Sequence, residues 1–226
     1  DTATVTINVE NSVWFIDNSA VGSANLGTQA DPYTSIASFN AAQGTPNGPA
    51  AGETVYLREG LGTYTEADGV NLLDGQILIG GGQDLIVDGD LVESGTGRPT
   101  IVTTGAGNHG VELAQNNEVS GFDVGATTGA GISDGGGTVG NLTISDVGAS
   151  GAGQIVDIDQ GGTLDVTLNG AASTGSSGGA MDLAGGWGSC ALSGARNIAG
   201  LHTGGGVDVT GSSATVSFAG GGLVST

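Results

Sequence analysis

The chain of 226 residues contains no lysine and only three arginines, Arg58, Arg98 and Arg196, against 23 acidic residues. Its formal net charge at pH 7 is -20. Such a surface repels polyanions and favours solubility. Nucleic acids, anionic membranes and polyuronate substrates are therefore poor partners, whereas divalent cations are better ones.

Cysteine, proline and aromatic residues are also scarce. The single cysteine, Cys190, excludes an intrachain disulfide, and with no apparent base beside it we expect a small packing residue rather than a nucleophile. With 4% aromatic residues, the core must consist of Val, Ile, Leu and Ala, which suits thin uniform layers. No apolar run approaches the ~20 residues of a membrane span.

Short strand patterns recur once per 21 to 26 residues in the second half of the chain. An acid stands between two apolar residues in Val111-Glu112-Leu113, Val156-Asp157-Ile158, Met181-Asp182-Leu183 and Val207-Asp208-Val209, and Ile132-Ser133-Asp134 fills the gap between the first two. A second pattern follows in Phe122-Asp123-Val124, Leu142-Thr143-Ile144, Val166-Thr167-Leu168 and Val216-Ser217-Phe218. Alternation over a few residues indicates half-buried strands, and the long period indicates one structural unit stacked on itself.

Parallel stacking of these units places equivalent residues ~4.8 Å apart, with an inner column of aliphatic side chains. The 47 glycines supply the many tight turns that this arrangement needs. We therefore predict an all-β protein, a single chain wound as a parallel β-helix (solenoid) of roughly seven turns over residues 54–226. Leu85-Ile86-Val87 is assigned to these repeats along with Ile77-Leu78-Ile79 and Ile101-Val102.

The segment before residue 54 has a different pattern. Residues 1–12 read as an extended strand without a hairpin partner, which is predicted to be a linker or a donor strand. Its candidate assembly strand, which would pair with another part of this chain or with another chain, is Thr4, Val5, Thr6, Ile7, Asn8 and Val9. Residues 13–53 form a predicted cap with one short helix at about residues 32–43, with Asp31 as its N-cap and Pro32 in its first turn. We expect this helix to cover an open end of the strand stack.

Three motifs of the first third resemble a known superfamily. They are Val13-Trp14-Phe15-Ile16-Asp17-Asn18-Ser19, Asp31-Pro32-Tyr33-Thr34-Ser35-Ile36, and Glu53-Thr54-Val55-Tyr56-Leu57 followed by Gly62-Thr63-Tyr64. Together they resemble the first segment of right-handed parallel β-helix proteins of the pectate-lyase-like superfamily. The resemblance implies a right-handed coil, and it indicates very little about activity.

Two sets of acidic residues are candidate cation sites. Asp84, Asp88, Asp90 and Glu93 cluster locally and form a candidate Ca2+ site, because hard cations collect carboxylate oxygens. Glu112, Asp157, Asp182 and Asp208 are predicted to form a carboxylate ladder on one outer face. Each set also has a plainer interpretation, as acids on turns or as charges screened by water and salt.

Enzymatic function has little support from the residues. Lyases of the superfamily use an arginine or lysine base beside bound calcium, and no matching motif surrounds the three arginines. Its glycosidases use paired aspartates, and Asn108-His109-Gly110 matches only a fragment of those motifs. Trp187 is the one loop aromatic of the repeat half that is suited to stacking on a glycan.

The sequence therefore predicts a non-catalytic structural protein at the cell surface or outside the cell. Two forms stay open: a rigid module of a bacterial surface adhesin or stalk, and a self-assembling filament subunit. The expected partners are other copies of the chain or neighbouring domains, with glycans less favoured. The alternative is a carbohydrate-active β-helix, namely a glycan-binding module, a glycosidase or a polysaccharide lyase.

Overall fold

The computed structural model describes residues 12–151, 153–173, 181–183, 185–198, 207–208, 211 and 215–218. They form one helix and nineteen strands, and three sheets contain all the strands. In chain order the elements are β1 (Val13–Ile16), α1 (Ile36–Ala42), β2 (Thr54–Leu57), β3 (Thr63–Glu66), β4 (Val70–Asn71), β5 (Ile77–Gly80), β6 (Leu85–Val87), β7 (Asp90–Glu93), β8 (Thr100–Thr103), β9 (Val111–Glu112), β10 (Glu118–Ser120), β11 (Asp123–Val124), β12 (Ala130–Ser133), β13 (Asn141–Gly151), β14 (Gln154–Ile158), β15 (Gly162–Ser173), β16 (Met181–Leu183), β17 (Gly186–Ile198), β18 (Val207–Asp208) and β19 (Thr215–Phe218). The all-β prediction is confirmed.

The large sheets are parallel, and their strands are visited in a repeating order. One column runs β1, β2, β5, β10, β13, β15, β17 and β19, and a second column runs β3, β8, β11 and the later part of β13. The third column, the separate six-stranded sheet, runs β4, β9, β12, β14, β16 and β18. As the chain advances it therefore returns to each column and adds a strand parallel to the previous one.

Aliphatic side chains occupy equivalent positions in successive strands of the first column. Leu78 pairs in register with Val55 on one side and Val119 on the other, and Ile144 follows Val119. All four are buried within one continuous apolar cluster. Phe122-Asp123-Val124, which the sequence pattern groups with Leu142-Thr143-Ile144, does not share its column: Asp123 and Val124 lie in the second column, beside β8 and β13.

The helix is shorter than predicted and begins later. α1 spans Ile36–Ala42, and its N-cap is Ser35 rather than Asp31. The Ser35 hydroxyl accepts a bond from the Ser38 backbone N–H, and the Ser38 hydroxyl accepts one from the Ser35 N–H, which makes a capping box. Tyr33 cannot join the helix because its backbone pairs with β1, as a single parallel bridge to Ile16.

α1 covers the open edges of β3 and β4. The Asn40 amide donates to the Gly69 carbonyl at 2.8 Å and accepts from the Asn71 N–H at 3.2 Å, while the Gln43 amide donates to the Asn71 carbonyl. These side chains replace the backbone groups of an adjoining strand. The cap thus prevents β4 from presenting a free edge, which is a common route to unwanted strand pairing.

We expect Asn40→Ala to lower the free energy of unfolding by about 1–3 kcal/mol, because it leaves a partly buried donor and acceptor of β4 without their partner. Urea denaturation measures the loss. Asn47→Ala, in the exposed turn after the helix, is the matched control and should change stability by less than about 0.5 kcal/mol. Equal effects of the two substitutions would show that the amide pairing contributes nothing.

The assignment of Leu85-Ile86-Val87 to the parallel repeats is wrong. β6 pairs antiparallel with β7 and forms a separate two-stranded hairpin. Its turn is Asp88-Gly89, and both residues have positive φ, +53° and +90°. These values match a two-residue type I′ turn, which Asp-Gly favours because glycine and aspartate tolerate that conformation.

Within the described residues, α1 has neither the length nor the apolar character of a membrane-spanning helix.

Candidate functional site

The acidic residues of the predicted ladder lie in register on the six-stranded sheet. Glu112 pairs with Ser133, Ser133 with Asp157, Asp157 with Asp182, and Asp182 with Asp208. Asn71 precedes Glu112 at the first strand of the sheet. The adjacent Val111, Val156 and Met181 are fully buried, whereas Glu112, Asp157 and Asp182 are partly exposed. The same position is therefore polar in six successive strands, and it is partly exposed at Asn71, Glu112, Asp157 and Asp182, whereas Ser133 is only 4% exposed.

Asp157 is the member of this column that lies among several other acidic residues. Burial raises the pKa of Asp157 above the ordinary aspartate value, and the negative charges of Asp159, Asp182 and Asp134 raise it further, while His109 opposes the shift. Like charges directly opposite each other in a sheet are unfavourable. The ionised column consequently costs stability in the folded chain and favours any species that lowers the local negative charge.

We expect the stability of the protein to rise when the pH is lowered from 7 toward the ordinary range of carboxylates. The pKa of Asp157 is higher in the folded chain than in the unfolded chain, so protonation of this group stabilises the folded state. This stabilisation is fully present below the unfolded pKa and is lost as the pH rises through the folded pKa. Asp157→Asn should therefore stabilise the protein at pH 7 and low salt by about 0.2–1 kcal/mol, and less at high salt.

Thermal melts of the Asp157→Asn variant across pH and salt test this expectation. Glu118→Gln removes an exposed carboxylate of the first column and is the matched control, which should not stabilise the protein at pH 7 as Asp157→Asn does. Burial also raises the pKa of Glu66, which adds a contribution of the same sign in both variants. An Asp157→Asn protein that is less stable than the wild type at pH 7 contradicts the account.

Asp134 has a different role, as a buried acceptor that joins two strand ends. It is only 5% exposed. Its Oδ2 accepts the backbone N–H groups of Asp159 and Gln160 at 2.8 and 2.9 Å, and its Oδ1 accepts that of Gly136 at 2.9 Å. The carboxylate therefore links the turn after β12 to the turn after β14.

The predicted calcium cluster lies on the β6–β7 hairpin. Glu93 is engaged by Arg58, and Asp84 Oδ1 accepts the Gly95 N–H at 2.8 Å. In the part of the chain that the structure describes, no three His, Cys, Asp or Glu side chains converge as a group able to hold a metal ion. Calcium binding at Asp84, Asp88, Asp90 and Glu93 stays a prediction.

The two arginines with described side chains lie in ion pairs. Arg58 contacts both oxygens of Glu93 at 2.6 Å and Asp17 at 3.6 Å. Its guanidinium also lies 5.0 Å from the centre of the Phe15 ring. The hydrogen bond to Glu93, opposed by burial, raises the pKa of Arg58, so this group is a poor proton acceptor.

Arg98 makes a second network at the junction of the first two columns. It contacts the carboxylates of Asp123 and Asp146, both at 2.9 Å, and donates to the carbonyls of Phe122 and Asp146 at 2.7 Å. Asp146 has a positive φ of +50°, at the position where β13 passes from the first column to the second. Arg98 thereby fixes a corner of the stack.

The remaining candidate residues are placed only in part. The prediction that Trp187 lies in a loop is wrong: it lies in β17, which begins at Gly186, in register with Thr163. Its side chain is outside the described part of the structure. The predicted assembly strand, Thr4, Val5, Thr6, Ile7, Asn8 and Val9, lies outside the described residues. For Asp208 the structure gives the register alone, without the side chain.

The residues that sequence reasoning missed are the cap amides Asn40 and Gln43, the buried Asp134 and the corner Arg98. Asp88-Gly89, between the apolar residues of β6 and β7, is a local hairpin signal. For Arg98 no local pattern exists, because its partners lie 24 or more positions away in the chain. Asp134 has one local partner, Gly136, but its other two partners, Asp159 and Gln160, lie 25 and 26 positions away.

Comparisons with known proteins add no assignment. No protein-family model matches the chain, and no curated protein and no solved structure is significantly similar to it.

Proposed function

We propose that the chain is a right-handed parallel β-helix of the pectate-lyase-like type that acts as a rigid, non-catalytic module of an extracellular surface protein. The observation that carries this proposal is the repeated return of the chain to the same three parallel columns, with in-register residues from one circuit to the next. In a protein built this way, each layer contacts mainly the layers on either side of it, and we expect the stack to be rigid.

The use of the charged residues supports a structural role. Arg58 and Arg98 are held in ion pairs and backbone contacts that fix corners of the stack. Both carboxylate oxygens of Asp134 accept backbone N–H groups, three in all. A lyase needs a basic residue that can accept a proton from its substrate, and Arg58 and Arg98, whose pKa values are raised and whose guanidinium groups lie in ion pairs, are unsuited to that task.

The covered edge of β4 favours a module over a filament subunit. Addition of another chain to this end requires free strand edges, whereas Asn40 and Gln43 already bond the backbone of β4. The partners proposed for the module are neighbouring domains of the same surface protein, in which the acidic face provides repulsion from anionic surfaces.

Electron microscopy and an activity screen together test the proposal. We expect short single rods in negative stain, and no release of reducing ends or unsaturated products from a panel of neutral and acidic polysaccharides, with or without Ca2+. Long filaments would favour the self-assembling subunit instead. Sustained cleavage of a polysaccharide would refute the non-catalytic role and support the carbohydrate-active alternative.

A further inference from the structure

The β6–β7 hairpin carries an exposed apolar pair. Ile86 and Leu91 are each 58% exposed, and Val92 on the same strand as Leu91 is 38% exposed. Ile86 lies directly opposite Leu91 in the antiparallel register. Opposite residues of such a pair project from the same face, so the two side chains form one outward apolar surface.

The inner face of the hairpin is fixed to the stack. Leu85 is fully buried against Phe15 and Tyr56. At the other strand the guanidinium of Arg58 holds the Glu93 carboxylate through two bonds of 2.6 Å. The outward face is therefore presented by a rigid platform, and its exposure is not the result of a loosely attached loop.

The open edge of β6 presents backbone groups beside this apolar pair. In a hairpin with a two-residue turn, the residues that flank the turn exchange their hydrogen bonds, here Val87 and Asp90. The next pair, Ile86 and Leu91, is then of the non-hydrogen-bonded kind, whose N–H and C=O groups point away from the partner strand. Among the described residues neither strand pairs with a third strand.

Acidic residues surround the apolar pair and determine which partner fits. Asp84, Asp88 and Asp90 are all exposed on this hairpin. A second copy of the chain would bring the same aspartates and a net charge of -20 to the contact, which disfavours self-association through this surface. A partner with basic residues beside its apolar ones would be attracted instead.

From these features we propose that the hairpin is a docking surface for an extended segment of another protein that alternates aliphatic and basic residues. The segment adds to the edge of β6 as a third strand, its aliphatic side chains cover Ile86 and Leu91, and its basic side chains pair with the three aspartates. Main-chain hydrogen bonds supply affinity in this mode and alternate side chains supply specificity. The surface is independent of the role proposed for the stack.

The experiment uses the full chain and a synthetic ten-residue peptide of alternating Val and Lys, with binding measured by isothermal titration calorimetry at 150 mM salt. We expect saturable binding with one peptide per chain. The double variant Ile86→Thr, Leu91→Thr keeps β-forming residues at exposed positions and should weaken binding at least about tenfold. Asp88→Asn with Asp90→Asn should also weaken binding, and asparagine tolerates the positive φ of the turn.

Two controls separate docking from general attraction between opposite charges. Leu61→Thr removes a leucine that is 76% exposed outside the hairpin and should leave binding unchanged. A ten-residue lysine peptide should bind at least about tenfold more weakly than the alternating peptide. The proposal is overturned if the alternating peptide does not bind, if the Ile86→Thr, Leu91→Thr protein binds it as tightly as the wild type, or if the lysine peptide binds equally well.

Discussion

Replacement of Asp134 by alanine is expected to lower the free energy of unfolding by about 2–4 kcal/mol, because three backbone N–H groups lose their common acceptor inside the turns of two strands. The value lies below the sum of three fully buried bonds, since Gly136, Asp159 and Gln160 themselves reach the surface and water can replace part of the loss. Urea denaturation followed by circular dichroism measures the change.

Asp134→Asn and Asp159→Ala are the matched controls for this prediction. Asparagine keeps one acceptor oxygen, so the free energy of unfolding of the Asp134→Asn protein should lie between those of the wild type and the Asp134→Ala protein. Asp159 is exposed, and within the described residues its side chain accepts a bond from the neighbouring Gln160 amide alone, so its removal should lower the free energy of unfolding by less than about 0.5 kcal/mol. An Asp134→Ala protein as stable as the wild type would show that the carboxylate does not join the two turns.

Leu78→Ala is expected to destabilise the protein by about 2–5 kcal/mol, because Leu78 is fully buried between Val55 and Val119 and its truncation leaves a cavity in the apolar column. The midpoint of urea unfolding should fall, and an unchanged m-value would indicate that the stack still unfolds as one unit.

Leu61→Ala serves as the control, because Leu61 is 76% exposed in the turn before β3. We expect the Leu61→Ala substitution to lower the free energy of unfolding by less than about 0.5 kcal/mol. A two-step transition in the Leu78→Ala protein alone would mean that the layers on either side of Leu78 unfold separately. Equal stability of the Leu78→Ala and wild-type proteins would contradict the continuous column.

The all-β fold and the parallel register could be predicted because both depend on a regular pattern along the chain. Val111, Ile132, Val156, Met181 and Val207 recur at nearly constant spacing, and the same spacing places the acid that follows most of them in one column. Two periodicities acting together fix which residues become neighbours, even though each neighbour is more than 20 positions away.

The start of the helix, the hairpin and the ion pairs could not be predicted from the repeat spacing, because they depend on contacts that do not recur from one repeat to the next. Asp31-Pro32 is a good helix start in isolation, yet Tyr33 is drawn into a backbone bridge with Ile16, and the start moves to Ser35. The aliphatic triplet at Leu85 resembles the repeats in composition. It differs from the repeats because the turn Asp88-Gly89 follows it directly. This turn reverses the chain, so that β6 pairs antiparallel with β7.

The most direct test of the account is the distance between spin labels at residues 54 and 215, measured by double electron–electron resonance in a Cys190→Ala background. Register pairs connect Thr54 to Thr215 through Ile77, Glu118, Thr143, Asp165 and Ser189. A rigid parallel β-helix predicts one narrow distribution centred near ~29 Å, which corresponds to six strand spacings. A distribution broader than about two strand spacings, or one centred far from that value, would contradict a continuous rigid stack.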